Sequence, residues 1–456
     1  MTENREPRTL LVGPGTVFTP ERCVPGGGVW IREGRVERVG EWGELRRRAK
    51  GVRLLDARGG IILPGFCNAH THLYSALARG MSVPGAPARN FVQILERLWW
   101  RLDKALQEED VLASAMVGLV ECVRCGVTTI IDHHASPNAC AGSLDVIRGA
   151  VEKVGLRASL CYEVSDRDGG GREGIEESVR FARTLRTRPS RHVGALMGVH
   201  ALFTVSDDTL QACVAAAREE GLGLHLHVSE DRADVARNVA RYGERPVMRL
   251  RRHGALGPRT LAAHCVHVDG REIGLLARTG TLVAHNPESN MNNAVGYAPV
   301  GEMLRRGVTV GLGTDGMTAD VLREAKVAAL VARHHGRDPR KGWDEVRRIA
   351  GEGTREVVGR VLGDKIGRLE KGWSGDLVVL DYDPPTRVGV ENLWGHLQFG
   401  IDARHVSSVV AQGKVLMRER RLTTVDEREV MERARERAKG VWGRMKNAKQ
   451  AMENGK

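Results

Sequence analysis

The chain has 456 residues, of which 41% are hydrophobic and 28% are charged, and its formal net charge is +12. This composition is typical of a folded globular protein, and no apolar run reaches the roughly 18–20 residues that a membrane-spanning helix needs. Eight cysteines scattered along so long a chain do not form the pattern of a disulfide-stapled protein. The polar residues 1–6 contain no signal-peptide apolar core, so we expect a cytoplasmic protein.

The first 63 residues contain short strand-like runs between glycines, such as Thr9–Val12, Gly28–Arg32 and Arg35–Val39. Runs of this kind predict a small β-sheet unit. Similar runs return between residues 369 and 425. We therefore predict that residues 1–63 and 369–425 are the two parts of one small β-sandwich, and that residues 64–368 form a separate domain between them.

His70-Thr71-His72 follows the apolar run Ile61–Phe66. Because side chains alternate along a strand, residues two apart share a face, and both imidazoles point the same way where the strand ends. Such a pair is half of a tetrahedral metal site. An isolated pair is structural about as often as it is metal-binding, so the interpretation depends on further ligands downstream.

The central region alternates apolar strands with amphipathic helical stretches such as Asp208–Glu220 and Asp231–Arg252, which is typical of βα units. Eight strands are expected, and most of them end on or beside a His or Asp. The expected ends are His72, His134, Ser165, His200, Val228, Cys265, His285 and Asp315. We predict an α/β fold, a TIM-like (β/α)8 barrel, with functional residues at the carboxyl ends of its strands.

Three later strand ends carry further candidate site residues. His225 and His227 share one face of the fifth strand, so either could complete a metal site, and Glu230 follows at the strand-to-loop junction. His264 ends the sixth strand. The eighth ends at Asp315, flanked by glycines, where a buried carboxylate needs a cation or a hydrogen-bond donor.

These residues together indicate metal-assisted hydrolysis. Three imidazoles and a carboxylate leave one coordination position for a water, whose pKa the metal lowers toward ~7. Asp315 can orient that water and accept its proton. Glu230 can carry a proton to the departing nitrogen, and His264 can stabilise the tetrahedral species.

Five motifs, in this order along the chain, resemble those of the amidohydrolase superfamily. They are Pro64-Gly65-Phe66-x-Asn68-x-His70-x-His72, His227-x-x-Glu230, Ala263-His264-Cys265, His285-Asn286-Pro287-x-Ser289-Asn290 and Gly313-Thr314-Asp315-Gly316. The resemblance covers residues 8–425. It is strongest to the mononuclear aminohydrolase and deaminase branch, which includes methylthioadenosine/adenosylhomocysteine deaminases, guanine deaminases and triazine hydrolases.

The resemblance implies a site residue by residue. The implied metal ligands are His70, His72, His227 and Asp315. The implied catalytic, proton-handling residues are Glu230, His264 and Asp315. The implied substrate-binding residue is His200, which matches a histidine of the deaminase branch. Tyr74 is a second substrate-binding candidate because of its position just past the metal pair, and not because of the resemblance.

A narrower likeness is to SsnA-type aminohydrolases, which are linked to selenium and purine metabolism. It is carried by His70-Thr71-His72-Leu73-Tyr74-Ser75, Asp132-His133-His134-Ala135-Ser136-Pro137-Asn138 and Asn392-Leu393-Trp394-Gly395-His396. This likeness implies a purine or purine-derived ring as the substrate.

The sequence of the fourth strand indicates how many metal ions the site holds. The fourth strand, Val193–His200, contains no lysine, whereas binuclear members of the superfamily carry a carbamylated lysine there. We therefore expect one divalent ion. Zn2+ is the first expectation, and Fe2+ and Mn2+ suit the same ligands.

The sequence supports one main activity and two alternatives. In the main hypothesis a metal-bound hydroxide attacks a carbon–nitrogen bond of a purine-like heterocycle and ammonia leaves. A ring-opening cyclic amidase would use the same residues but release no ammonia. A non-catalytic scaffold on the same barrel is the remote alternative, and it would predict decay of the metal set.

Residues 426–456 are predicted to form a basic amphipathic helix. The segment from Lys414 to Lys456 has 13 Lys and Arg against 7 Asp and Glu. Apolar residues recur every three or four positions, at Val430, Ala434, Ala438, Val441 and Met445. The charges are mixed in sign and lack interleaved aromatics, so we expect a solvated helix face and no nucleic-acid or membrane partner. A homodimer is compatible with the resemblance.

Several residues have two open interpretations. His133, His134, His225 and His285 could line the pocket or be structural. Trp99-Trp100 is predicted to pack in the core, with a substrate lid as the alternative. Cys122 and Cys125 are predicted to be partly buried thiols rather than half of a zinc ribbon.

Overall fold

The computed structural model describes residues 9–20, 22–83, 85–169 and 171–454; residues 1–8 of the predicted N-terminal segment and residues 455–456 lie outside this part. The strands are β1 (Thr9–Phe18), β2 (Cys23–Arg32), β3 (Arg35–Glu41), β4 (Arg53–Leu55), β5 (Ile61–Pro64), β6 (Phe66–Thr71), β7 (Val127–His134), β8 (Arg157–Val164), β9 (Val193–Ala195), β10 (Met197–Ala201), β11 (Leu224–Val228), β12 (Leu261–His264), β13 (Leu282–His285), β14 (Val310–Leu312), β15 (Leu377–Leu380), β16 (Val406–Ala411), β17 (Lys414–Arg418) and β18 (Arg421–Leu422).

The α-helices lie mostly between the strands of the central region. They are α1 (Trp42–Arg48), α2 (Phe91–Ile94), α3 (Trp100–Ala105), α4 (Glu108–Arg124), α5 (Ser143–Val154), α6 (Gly171–Thr187), α7 (Asp207–Glu219), α8 (Arg232–Tyr242), α9 (Pro246–Arg252), α10 (Gly270–Thr279), α11 (Pro287–Asn292), α12 (Val300–Arg305), α13 (Val321–Gly336), α14 (Trp343–Arg347), α15 (Thr354–Leu362), α16 (Leu393–Phe399) and α17 (Glu427–Asn454). Within the described ranges, every helix is too short or too polar to cross a lipid bilayer.

The terminal strands join in one nine-stranded sheet. Its order is β18-β17-β16-β15-β5-β1-β2-β3, and β4 pairs with β1. Strand β5 lies between β1, to which it runs parallel, and β15, with which it pairs antiparallel. Both ends of the chain therefore build one β unit, as the sequence predicts, and β5 continues within two residues into the first strand of the central region.

The central strands form a nearly closed barrel of eight parallel strands. Their order is β14-β13-β12-β11-β10-β8-β7-β6, and β9 is an extra strand beside β8. A bridge between Thr71 and Asp315 connects the first strand to the end of the last. The Asn68 amide strengthens this closure, because it donates to Thr314 Oγ1 at 2.7 Å and accepts from the Thr314 backbone at 3.1 Å. The predicted (β/α)8 fold is confirmed.

The barrel strands end near the predicted positions, at the side where the βα loops begin. Strands β7 and β8 are buried at every position, because parallel strands in a barrel are covered on both faces. Polar residues at the ends of such strands are therefore desolvated and must find partners inside the protein.

The basic C-terminal helix packs against the barrel. Ala434, Val441 and Met445 of α17 are buried, in keeping with the predicted apolar stripe. The buried Asp110 of α4 accepts a hydrogen bond from Arg437 Nε at 2.6 Å and forms a second, shorter ion pair with Arg444. Part of the basic charge of this segment is thus used to hold α17 against α4.

All eight cysteines are free. Cys122 and Cys125 are both buried at the end of α4, and burial raises the pKa of each thiol above its usual range. The interpretation of this pair as buried thiols is confirmed.

Candidate functional site

The residues predicted for the metal site come from strand ends that are far apart in the sequence and close together in the barrel. His70 ends β6 and His72 follows it, while His227 lies near the end of β11. His264 ends β12, and Asp315 follows β14. All five lie at the carboxyl side of the barrel, where barrel enzymes place their active sites.

His72 and His227 are each held by a backbone carbonyl. His72 Nδ1 donates to the carbonyl of His133 at 2.6 Å, and His227 Nδ1 donates to the carbonyl of His200 at 2.7 Å. In each neutral ring the proton is therefore on Nδ1, and the lone pair is on Nε2. The two Nε2 atoms are only 3.2 Å apart, so either a proton on one of the two rings or a metal ion must lie between them.

His70 is held by another imidazole. Its Nδ1 lies 2.8 Å from His225 Nε2, and His225 Nδ1 lies 3.6 Å from Cys161 Sγ. The Cys161 thiol donates to the carbonyl of Asp132 at 3.4 Å, so its sulfur is free to accept from His225. This chain of donors leaves the lone pair of His70 on Nε2, which is buried without a partner among the described residues. His225 thus positions His70, and His227 is the member of the pair that reaches the cluster.

His264 has a similar arrangement. Its Nδ1 lies 2.8 Å from Asn290 Oδ1, so it donates there and Nε2 carries the lone pair of the neutral ring. His264 Nε2 is 3.6 Å from both Glu230 Oε2 and Asp315 Oδ2. The backbone at His264 has φ +71°, a left-handed conformation that is costly for a side chain of this size and that turns the chain sharply after β12.

Asp315 is fixed by three neighbours. Its Oδ2 accepts from Ser289 Oγ at 2.6 Å, its Oδ1 accepts from the Gly316 backbone at 2.7 Å, and Oδ1 is 3.2 Å from His72 Nε2. Burial alone would raise the pKa of Asp315, but the interactions with His72 and His264 outweigh burial and lower it. Asp315 is thus a charged carboxylate at neutral pH.

The interaction between His72 and Asp315 shows how strongly the cluster attracts positive charge. Burial lowers the pKa of His72, but the hydrogen bond to Asp315 outweighs burial and raises it to about 9. His70 and His227 have pKa values well below the usual range because of burial and the neighbouring imidazoles. A cation that binds here would therefore displace one proton from His72 and meet neutral nitrogens elsewhere.

The arrangement of these acceptors fits a metal ion. Overlapping groups of side chains have ligand atoms within 4.8 Å of one another: His70, His72 and Asp315; His70, His227 and His264; His72, His133 and His227; and Glu230, His264 and Asp315. Imidazole nitrogen and carboxylate oxygen suit zinc, iron and manganese. The four predicted ligands are all present in these groups, and His264 belongs to two of them.

Glu230 is a buried carboxyl group beside the cluster. Asn293 Nδ2 donates to its Oε1 at 3.3 Å. Burial, and then the charge of Asp315, raise its pKa well above the usual range, which favours the protonated carboxyl group. Asn293 is a neighbour of the cluster that the sequence did not single out, and Ser289 appears in a motif without an assigned role. The polar run after Pro287 is the signal that could have identified both residues.

The predicted substrate-binding residues line a cavity above the cluster. Tyr74 and His200 both face it, and so do Trp99 and Trp100. His200 Nδ1 lies 2.8 Å from Thr204 Oγ1, and burial lowers the pKa of His200 to about 4. The two tryptophans form part of the cavity wall as well as packing against the core.

The other histidines have structural partners. His133 Nε2 is 3.2 Å from the carbonyls of Val199 and His225, and its ring lies beside the cluster. His134 Nε2 donates to Ser136 Oγ at 2.8 Å, since the Ser136 hydroxyl itself donates to a carbonyl. His285 packs edge-on against Tyr297 with ring centroids 6.5 Å apart, outside the cavity lining.

Glu163 is another cavity residue that the sequence did not single out. Glu163 lies in the wholly buried strand β8 and lines the cavity next to His200. Arg167 Nη2 donates to its Oε1 at 3.1 Å. A carboxylate within an apolar barrel strand, two residues before the expected strand end, was the sequence signal that could have identified it.

Known proteins resemble this chain over almost its full length. The sequence model of the family described as "Amidohydrolase family" matches residues 61–416. A 5-methylthioadenosine/S-adenosylhomocysteine deaminase from Haloarcula marismortui is 35% identical over 94% of this chain and 97% of that protein. A 5'-deoxyadenosine deaminase from Methanosarcina mazei is 32% identical over 92% of this chain and 94% of that protein.

Two solved structures have the same fold as this chain. An adenosine deaminase from Xanthomonas campestris with bound zinc superposes with a TM-score of 0.84 at 25% identity, over 96% of this chain and 98% of that one. Atrazine chlorohydrolase from Arthrobacter aurescens in complex with zinc has a TM-score of 0.79 at 26% identity, over 95% of this chain and the whole of that one.

Proposed function

This chain belongs to the amidohydrolase family and is a metal-dependent hydrolase of carbon–nitrogen bonds, and from that premise we propose that it removes an amino group from a purine-like ring and releases ammonia. The observation that carries this proposal is the pairing of two buried carboxyl groups, Glu230 and Asp315, each 3.6 Å from His264 Nε2 beside a cluster of imidazoles, with the pKa of Glu230 raised and that of Asp315 lowered. The relatives named as deaminases of adenosine derivatives support the choice of ring.

We assign His70, His72, His227 and Asp315 to one metal ion, with Zn2+ as the first choice because zinc is bound in two of the similar structures. When bound, such an ion supplies a Lewis acid that lowers the pKa of a water ligand toward ~7 and polarises the group under attack. The backbone carbonyls that accept from His72 and His227 hold a proton on each Nδ1, so each Nε2 can present its lone pair to the ion once the ion has displaced the second proton of His72.

The proton carriers act on either side of the attacked carbon. Asp315, charged and fixed by Ser289, accepts a proton from the attacking water. Glu230 delivers its carboxyl proton to the ring nitrogen, where it stays in the product, with Asn293 holding its other oxygen in place. The proton that Asp315 takes from the water passes to the departing amine, which leaves as ammonia, and the second proton of the water restores the Glu230 carboxyl group. His264 Nε2, 3.6 Å from both carboxyl groups, can take a proton from either and donate to the oxygen that develops charge.

The test is a turnover assay that separates deamination from ring opening. Zinc-loaded protein is incubated with adenosine, 5'-methylthioadenosine, adenine, guanine and a hydantoin, and free ammonia and product mass are both measured. We expect ammonia from at least one purine. A product heavier than its substrate by one water, formed without ammonia, would establish the cyclic amidase in its place.

A further inference from the structure

Glu163 is a buried carboxylate with spare acceptor capacity that faces the cavity. Its side chain is 3% exposed, and among the described residues only Arg167 donates to it at an ordinary hydrogen-bond distance, 3.1 Å. An ionised carboxylate has about four lone-pair positions, and buried polar groups are almost always hydrogen-bonded. Donors are therefore missing around Glu163.

The nearest ring nitrogens cannot supply them as neutral groups. The Thr204 hydroxyl donates to the carbonyl of Ala201 at 2.8 Å, so it must accept from His200 Nδ1, and the lone pair of His200 is on Nε2. That Nε2 lies 3.8 Å from Glu163 Oε1. Two acceptor atoms thus face each other across a gap that a single donor group could fill.

His133 presents the same situation on the other oxygen. Its Nε2 faces two backbone carbonyls at 3.2 Å and so carries the proton of the neutral ring. His133 Nδ1 is buried without a partner and lies 3.5 Å from Glu163 Oε2. When both rings are neutral, Glu163 is therefore flanked by imidazole lone pairs on both sides.

The residues behind Glu163 keep this region negative. Arg167 binds Glu163 and also donates to Asp103 at 2.8 Å, so one cation is shared between two carboxyl groups. The Arg167 guanidinium lies over the ring of Trp100, 4.8 Å from its centre, and Trp100 borders the cavity. This packing holds Arg167, and with it the Glu163 carboxylate, against the ring of Trp100.

The acceptor group lies across the barrel mouth from the proton carriers. Glu163 and His200 are on β8 and β10, the third and fourth barrel strands, whereas His264 and Asp315 are at the ends of the sixth and eighth. A ring that meets Glu230 and Asp315 with its reacting carbon would turn its opposite side toward Glu163.

We propose that Glu163, together with His200 Nε2, is a specificity-determining acceptor pair that binds hydrogen-bond donors on the side of the substrate remote from the attacked carbon. This rests on the proposed function, since it takes the substrate to be a purine-like ring. Two chemical sources carry suitable donors there: the hydroxyls of a ribose, or the ring N–H of a free base. A purine that offers only acceptors or methyl groups on that side leaves the carboxylate unsatisfied and binds weakly.

Matched ligand pairs test this by binding, independently of turnover. Adenosine is compared with 2',3'-dideoxyadenosine, and adenine with 9-methyladenine, by calorimetry on zinc-loaded Glu230→Gln protein. We expect the donor-bearing member of at least one pair to bind about 10- to 100-fold more tightly, since a hydrogen bond to a charged group is lost in the other. The nucleoside pair and the base pair identify which source of donors the site uses.

The preference must depend on Glu163 itself. In a Glu230→Gln, Glu163→Gln double variant the preference is expected to fall to about threefold or less, because the amide presents one acceptor in place of two. Glu176→Gln in the same background is the matched control, since Glu176 lies on the exposed surface of α6 and pairs with Arg172. Melting temperature and zinc content are measured for each variant.

The outcomes separate this inference from the proposed function. Selective binding of donors together with no ammonia release in the turnover assay would leave the acceptor pair standing and reject deamination. Equal binding within both pairs, no binding of any of the four compounds, or a preference that survives in the folded double variant would overturn the acceptor pair.

Discussion

Glu230 and Asp315 are two buried carboxyl groups on either side of His264, and their surroundings shift their pKa values in opposite directions. Burial raises the pKa of Glu230, while His72 and His264 hold the pKa of Asp315 low despite burial. The shifts favour the protonated form of Glu230 and the ionised form of Asp315. Such a difference between neighbouring carboxyl groups is how enzymes assign acid and base roles.

At this scale the first prediction concerns Glu230. Glu230→Gln keeps the shape and the hydrogen bond with Asn293 but removes the transferable proton. We expect kcat to fall about 100- to 10,000-fold, the usual contribution of a general acid–base group, with zinc content and melting temperature unchanged. Steady-state ammonia assays at saturating substrate measure this. Unchanged turnover in the folded variant would remove Glu230 from the mechanism.

The sequence identified the cluster residues better than their neighbours. His70, His72, His227, Glu230, His264 and Asp315 follow strands and carry a recognisable spacing, and the barrel brings them together. Asn293 and Glu163 were not singled out, and Ser289 was named only as part of a motif, because their contacts depend on which elements converge in three dimensions. Likewise, the choice of His227 over His225 as a cluster member is visible only once His225 is seen to hydrogen-bond with His70.

At the scale of single elements, α17 shows how a charged helix is held on the barrel. Its apolar residues Ala434, Val441 and Met445 are buried, and its arginines reach Asp110, which is itself fully buried in α4. Asp110 also accepts from the Gln107 backbone at 2.9 Å, at the N-terminal end of α4. One carboxylate therefore stabilises the start of α4 and the docking of α17 together.

The second prediction belongs to this pair of helices. Asp110→Ala leaves the Arg437 and Arg444 guanidinium groups without their buried partner, and we expect the free energy of unfolding to fall by about 2–4 kcal/mol. Urea denaturation measures the change. Glu432→Gln, which removes an exposed pair with Arg428, is the control and is expected to change stability by less than about 0.5 kcal/mol. An equal loss in both variants would contradict the role of Asp110.

Periodicity predicted α17 closely, as residues 426–456 against the observed Glu427–Asn454, because an apolar stripe at helical spacing is a local signal. The ends of the barrel strands were also predicted to within a few residues, because the apolar runs that form them are local signals as well. The extra strand β9 is three residues long and has no periodicity of its own, so it could not be separated from β10 by sequence.

At the scale of the whole molecule, the β unit and the barrel share the chain segment that carries His70 and His72, the first pair of proposed metal ligands. Strand β5 is paired on both sides in the terminal sheet, and β6 follows after Gly65 and ends with His70. The first and last barrel strands are joined by Asn68 and Thr314. The position of the cluster is thus fixed by contacts between residues that are far apart in the sequence. Local sequence patterns do not show these contacts, and only the predicted fold class implies them.

The central claim is a single metal site on which ammonia release depends. Zinc is titrated into metal-depleted protein, and the rate of ammonia release from the best purine substrate is followed together with bound zinc. The account predicts a rate near zero without metal that rises linearly and saturates at one zinc per chain. Full activity in verified metal-free protein, or saturation only at two zinc ions per chain, would contradict it.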